Sequence, residues 1–150
     1  MESKRVVPHL IRPRLEKDDG FLFKTWVTTQ RRQGDRKHVT NRIYMSCETA
    51  RIRSLLKRST TIVACNVEDE EHIYGYLTFE QRKDFGPIAH YIFVKHSFQK
   101  LGLAKSLWLH AFGPNWAENG VRISDLSEPV LKLRRKYPLI YNPYLFFQES

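Results

Sequence analysis

Val94-Lys95-His96-Ser97-Phe98-Gln99-Lys100-Leu101-Gly102-Leu103-Ala104-Lys105-Ser106 stands between an apolar run and an amphipathic one. Upstream, Ile88-Ala89-His90-Tyr91-Ile92-Phe93-Val94 is apolar on both faces apart from His90 and Tyr91, the pattern of a central strand. Downstream, a helix runs from Leu103 to about Phe112, where Gly113-Pro114 stops it. The chain must therefore turn sharply from strand into helix. The first amides of a helix lack carbonyl partners and carry the positive end of its dipole, so consecutive N–H groups here can cradle a phosphate or pyrophosphate. Gly102 permits a positive φ or close approach of a ligand, Ala104 keeps the helix start uncluttered, and Lys100 and Lys105 add positive charge. The bland alternative is a plain strand-to-helix turn.

Working outward, Thr61-Ile62-Val63-Ala64-Cys65 reads as a buried strand, Glu68-Asp69-Glu70-Glu71 as an acidic turn, and Ile73 to Phe79 as the returning partner. Phe85-Gly86-Pro87 turns the chain into the central strand. Nearer the N-terminus, Val6 to Arg12 suits a first or edge strand with Pro8 near its start. Asp18 or Asp19 then caps a helix reaching about Gln30, with Phe23, Trp26 and Val27 at i, i+3, i+4 spacing. After a loop at Gln33-Gly34-Asp35-Arg36-Lys37, Thr40 or Asn41 caps a second helix. Met45, Ile52, Leu55 and Leu56 share one of its faces, and Arg51, Lys57 and Arg58 the other. Past the central helix, Val121-Arg122-Ile123 is a brief strand and Glu128-Pro129-Val130-Leu131 a helix start. Leu139-Ile140-Tyr141 and Tyr144-Leu145-Phe146-Phe147 read as a terminal strand or strand pair. The order β-α-α-β-β-β-α-β-α-β(β) is that of a single α/β domain over residues 1–150, a mixed central sheet flanked by helices.

The 150 residues are the length of one domain, enough to bury roughly two thirds of the unfolded surface. Hydrophobic residues make up 41% of the chain and aromatics 13%, which excludes disorder. No apolar run approaches the roughly 18 residues that cross a bilayer, and Met1-Glu2-Ser3-Lys4-Arg5 does not open a secretory signal. A cytoplasmic protein with no membrane partner is expected. Cys47 and Cys65 both sit in apolar settings outside any Cys-x-x-Cys pattern and are expected to be buried free thiols. The six histidines form no HExxH or HxH pair, so no metal site is expected. A formal net charge of +9 attracts anions such as phosphates, nucleic acid or acidic protein.

Following Val94, the pattern Gln99-x-x-Gly102-x-Ala104 resembles the acyl-CoA pyrophosphate loop of the GNAT superfamily of N-acetyltransferases, in which Arg or Gln, two residues, Gly, one residue, and Gly or Ala recur. That family sets the loop between its fourth strand and third helix, after a strand, two helices and a hairpin, which is the order read over nearly the whole chain. The resemblance implies acetyl-CoA, or another acyl-CoA, as co-substrate and direct transfer to an amine. It implies that Ile92, Phe93 and Val94 offer backbone groups to the pantetheine arm. Gln99, Lys100, Leu101, Gly102, Leu103 and Ala104, with Lys105 beside them, would hold the pyrophosphate.

Such a transfer needs a neutral amine, an oxyanion contact, which a backbone N–H near Val94 can supply, and a proton for the leaving thiolate. Glu80 and His90 are the candidate bases, directly or through water; their bland readings are a strand-end charge and a satisfied core histidine. Family members commonly use a tyrosine as acid, here Tyr137, Tyr141 or Tyr144, with Tyr137 and Tyr141 preferred. The chain departs from the family in carrying Ser124-Asp125-Leu126-Ser127 where an asparagine is expected. The acceptor and the oligomeric state stay open. Basic clusters at Arg31-Arg32, Arg36-Lys37, Arg51-Arg53-Lys57-Arg58 and Lys132-Arg134-Arg135-Lys136, with Trp26, Tyr44 or Tyr137 for stacking, make a nucleic-acid-modifying enzyme of phage type the second reading. A non-catalytic binding protein of the same fold is the third.

Overall fold

β-Branched and aromatic residues between Thr60 and Val94 resolve into three antiparallel strands, the centre of a six-stranded sheet. The computed structural model describes residues 7–31, 41–124, 128–137 and 139–142. They fall into two compact units, one drawn from Met1–Arg14 and Thr60–Ser150, the other Leu15–Ser59.

In the first unit the strands are β1 (Leu10–Pro13), β2 (Thr60–Cys65), β3 (Ile73–Arg82), β4 (Gly86–Val94), β5 (Arg122–Ile123) and β6 (Ile140–Tyr141), and they lie side by side in chain order. β1 to β4 pair antiparallel, whereas β5 is parallel to β4 and β6 parallel to β5. The first strand starts later than expected, at Leu10, and β3 and β4 extend further toward their shared turn. The β2–β3 connection is organised by Asn66, whose side-chain oxygen accepts the amides of Glu68 (2.8 Å) and Asp69 (3.1 Å).

Parallel β4 and β5 need a crossover, and the helix after Gly102 supplies it: α3 (numbered after the two helices below) spans Leu103–Phe112, as the sequence predicts. Its apolar stripe, Leu103, Leu107 and Trp108, packs in one cluster with Ile62, Ala64, Leu77, Ala89, Ile92 and Val94 of the sheet. Each buried Leu, Ile and Val side chain among them contributes about 1.5–3 kcal/mol. A single turn not foreseen in the sequence, α4 (Trp116–Asn119), places Trp116 edge-on to Trp108 at 5.3 Å. α5 (Glu128–Lys136) buries Val130 in the same cluster while Lys132, Arg134, Arg135 and Lys136 stay exposed. The expected strand Tyr144–Phe147 lies outside the described residues.

The second unit holds α1 (Asp19–Arg31) and α2 (Asn41–Arg58). Asp19 is the first residue of α1, and Asp18 closes the 3-10 turn before it, its carboxylate accepting the Leu15 amide at 2.7 Å. The buried face of α1 is Leu22, Trp26 and Val27; Phe23 is only half-buried, with the Arg53 guanidinium 5.6 Å from its ring centre.

The expected face of α2 needs correction. Met45 is 44% exposed, and the stripe runs instead through Tyr44, Glu48, Ile52, Leu55 and Leu56. Tyr44 belongs there because its hydroxyl donates to the Val27 carbonyl at 2.6 Å, and Glu48 because Arg51 pairs with it at 3.2 Å. Cys47 follows Met45 to the exposed side, so only Cys65 is a buried thiol. Trp26 and Tyr44 are both buried, which removes them as stacking platforms for nucleic-acid bases. Thr40, Arg32, Arg36 and Lys37 lie outside the described residues.

Candidate active site

β4 outruns its neighbour on one side. Its register with β5 covers Ile88 and Ala89, the Ser124 amide adds a bond to the Ala89 carbonyl at 3.2 Å, and β4 then continues to Val94. The Lys95 amide donates to Tyr74 on β3 at 2.8 Å. By the alternation of a strand, the backbone groups of Ile92 and Val94 therefore point to the opposite edge, the side on which β5 has ended. This leaves an extended backbone segment leading from the end of β5 to the start of α3.

The segment between them is tightly built. Gln99 donates from its side-chain amide back to the Val94 carbonyl at 3.2 Å, closing the loop over a 3-10 turn at His96–Phe98. Phe98 stacks on Tyr74, ring centres 4.1 Å apart, which fixes the loop to β3. Lys100 takes a positive φ of 67°, a conformation that costs a non-glycine residue about 1–3 kcal/mol. Gly102, at φ 80° and ψ 4°, takes the same left-handed region at no such cost and forms the N-cap of α3. Ser106 closes the first helical turn onto the Gly102 carbonyl at 3.0 Å, so the amides that precede it form the electropositive end of α3. Leu103 is buried, Gln99, Leu101, Gly102 and Ala104 are half-buried, and Lys100 and Lys105 are exposed. The loop thus has the shape and charge to receive an anion, with Ile92 and Val94 leading away from it.

At the far end of that backbone segment stand Glu80 and His90. Thr78 pairs with Tyr91 and Phe79 with Ala89, so β4 carries one residue more than β3 at this point, and that residue is His90. The bulge brings its imidazole to two partners. Nε2 is 2.7 Å from Oε1 of Glu80 on β3, and Nδ1 is 2.7 Å from Oγ of Ser124, the residue that follows β5. His90 has no side-chain exposure and Glu80 keeps 11%. An ionised carboxylate only accepts, so Nε2 carries a proton toward Glu80; in the neutral ring Nδ1 is then the acceptor and Ser124 the donor. The row Ser124, His90, Glu80 is a polarised chain across three strands. It joins the two residues that the sequence singles out and adds a third that it names only as a departure from the family pattern.

The tyrosines are separated. Tyr137 is 39% exposed at the end of α5 and lies edge-on to Trp116, with ring centres 4.8 Å apart. Tyr141 is half-buried on β6, opposite Ile123 in the register and under the Arg134 guanidinium at 5.8 Å. Tyr144 lies outside the described residues. Among the described residues, no group of three or more His, Cys, Asp or Glu could hold a metal ion, and no helix is long and apolar enough to cross a membrane.

Solved structures share this architecture. The chain matches a candidate acetyl transferase from Pyrococcus furiosus with a TM-score of 0.63 at 17% identity, covering 86% of this chain and 91% of that one. It matches a GNAT-family acetyltransferase of Staphylococcus aureus with a TM-score of 0.59 at 13% identity, over 87% and 82% of the two chains. A ribosomal-protein-alanine N-acetyltransferase of Brucella melitensis follows with a TM-score of 0.53 at 16% identity, over 86% and 90%. No family model and no curated protein matches the sequence. The fold is that of the GNAT superfamily, a mixed α/β fold with a six-stranded sheet.

Proposed function

We propose that the protein is an acyl-CoA-dependent N-acyltransferase that moves an acetyl or similar acyl group to an amine. One observation carries this reading: β4 runs past the end of β5 into the Gly102-capped start of α3, and the Glu80–His90 pair stands where the two strands part.

Acetyl-CoA would supply the activated acyl group. The amides of Lys100 to Ala104, with Lys100 and Lys105 beside them, bind its pyrophosphate, and Ile92 and Val94 offer backbone groups to the pantetheine arm, whereas Phe93 turns its own to Tyr76 of β3 and the Gln99 amide donates to the His96 carbonyl. That assignment sets the reacting thioester toward His90, because the arm leads along β4 away from the loop. Glu80, the more exposed member of the pair, takes the proton that the amine gives up as its nitrogen bonds to the acyl carbon. A backbone amide of β4 that points away from β3, that of Ile92 on the His90 side of Val94, stabilises the oxyanion. As the carbon–sulfur bond breaks, Tyr141 protonates the thiolate; it is preferred to Tyr137 because β6 pairs it with Ile123, next to Ser124.

Calorimetric titration of acetyl-CoA, followed by turnover assays against polyamines, lysine peptides and DNA, tests the reading. Saturable binding with release of free CoA is expected. Failure to bind acetyl-CoA overturns it.

The exposed Lys132, Arg134, Arg135 and Lys136 on α5 favour one class of acceptor, an amine carried on a polyanion such as nucleic acid. Affinity for DNA that falls steeply with salt is the expected mark of that class, and a flat salt response removes it.

A further inference from the structure

Ser124 is buried to 2% exposure and follows β5 directly, just past the last rung, Ala89–Ile123, where β4 and β5 separate. Two of its atoms hold β4 there: the amide donates to the Ala89 carbonyl at 3.2 Å and Oγ meets His90 Nδ1 at 2.7 Å. A purely structural contact at this depth would be made at less cost by apolar side chains, since hydroxyl, imidazole and carboxylate must all be desolvated. What the polar chain provides instead is direction. An imidazole left to itself exchanges between two tautomers, and only the one with Nε2–H can donate to Glu80. Opposite the acceptor-only carboxylate of Glu80 that tautomer prevails, and the Ser124 hydroxyl, able to donate or accept, is left to donate to Nδ1 and fixes the plane of the ring.

We propose that Ser124 is a positioning residue of the transfer reaction: its hydroxyl donates to Nδ1 and holds the His90 ring in the orientation from which Nε2–H meets Glu80, and His90 in turn holds the Glu80 carboxylate ionised and oriented for the amine. Ser124 touches neither amine nor acyl group in this scheme and acts only through His90. His90 is itself a positioning residue and not the base, because no part of its side chain is exposed. Ile92, where the cofactor-binding backbone begins, is two residues further along β4, about 7 Å at the usual strand rise, so the chain links the cofactor cleft to the base. The inference rests on the acyltransferase reading for its reaction, but its hydrogen-bond polarity belongs to the folded protein alone.

Two measurements test it. Nitrogen-15 spectra of the histidine-labelled wild-type protein at neutral pH read the tautomer directly, with Ser124→Ala assigning the Nδ1 signal. His90 is expected to show a protonated Nε2 and a bare, hydrogen-bond-accepting Nδ1. A proton on Nδ1 overturns the proposal, whatever the protein catalyses. The second is a double-mutant cycle of Ser124→Ala and Glu80→Gln on turnover with an amine acceptor found in the screen, with Ser124→Thr as the conservative variant. Ser124→Ala is expected to lower kcat about tenfold or more with the KM for acetyl-CoA unchanged, and Ser124→Thr to restore most of it. In the Glu80→Gln background Ser124→Ala is expected to add nothing, because both act through one carboxylate. Additive losses, or an unchanged kcat in a folded Ser124→Ala protein, overturn the positioning role. Failure of the wild type to bind acetyl-CoA sinks the acyltransferase reading instead, and leaves the spectroscopic test standing.

Discussion

The side-chain amide of Gln99 donates to the carbonyl of Val94 at 3.2 Å, tying the end of β4 to the loop that opens α3. The bond spans five residues and closes the loop on itself. It also occupies the Val94 carbonyl, the last backbone acceptor of β4. Gln99 therefore acts here as a brace, whereas Gly102 acts through backbone conformation.

Gln99→Ala removes the brace and leaves the backbone of the loop chemically intact. The expected cost is about 1 kcal/mol of stability, with affinity for acetyl-CoA reduced several-fold. Thermal melts and calorimetry on the variant read the two effects separately. An affinity equal to that of the wild type contradicts the bracing role.

Gly75 packs so closely against β4 that an added Cβ would collide with the Phe93 carbonyl. Gly75→Ala must push β3 and β4 apart beside Val94, its register partner. Overpacking of this kind costs about 1–3 kcal/mol, a fall of several degrees in Tm. A variant as stable as the wild type would show that the two strands are free to separate there.

Glu80→Gln keeps the shape of the side chain but removes the charge that, in the proposed mechanism, accepts the amine proton. Turnover is expected to fall about 100-fold or more while acetyl-CoA affinity is unchanged, because the carboxylate lies away from the pyrophosphate loop. A KM effect without a kcat effect would move Glu80 out of the chemistry and into binding.

The two thiols differ in access, Cys47 exposed and Cys65 buried. A thiol reagent is expected to titrate one equivalent in the native protein and a second only on unfolding. Two fast equivalents, or none, would contradict the phase of α2 described above.

That phase shows where sequence reading stopped. α3 was legible to the residue because one apolar stripe, a glycine before it and Gly113-Pro114 after it all agree. In α2 the apolar residues Ile43 and Met45 are exposed, while the buried stripe includes Glu48, kept there by Arg51, and Tyr44, kept there by its bond to Val27. A hydropathy pattern rejects a carboxylate and so selects the wrong face. The candidate site divides in the same way. Gly102 and its neighbours announce their geometry locally, in consecutive residues. The meeting of Glu80, His90 and Ser124 depends on a one-residue bulge in β4 and on the register of a two-residue strand, and neither leaves a periodic trace. Ser124 carried one signal, its place immediately after Ile123 at the end of an apolar strand.

Binding of an acyl-CoA by the Gly102 loop is read by calorimetric titration of acetyl-CoA into the wild type and Gly102→Glu. Saturable micromolar binding to the wild type is expected. In the variant, binding is expected to be lost from a protein whose circular dichroism is unchanged, because a carboxylate then occupies the place of the pyrophosphate. No binding to the wild type, or equal binding to both proteins, would contradict it.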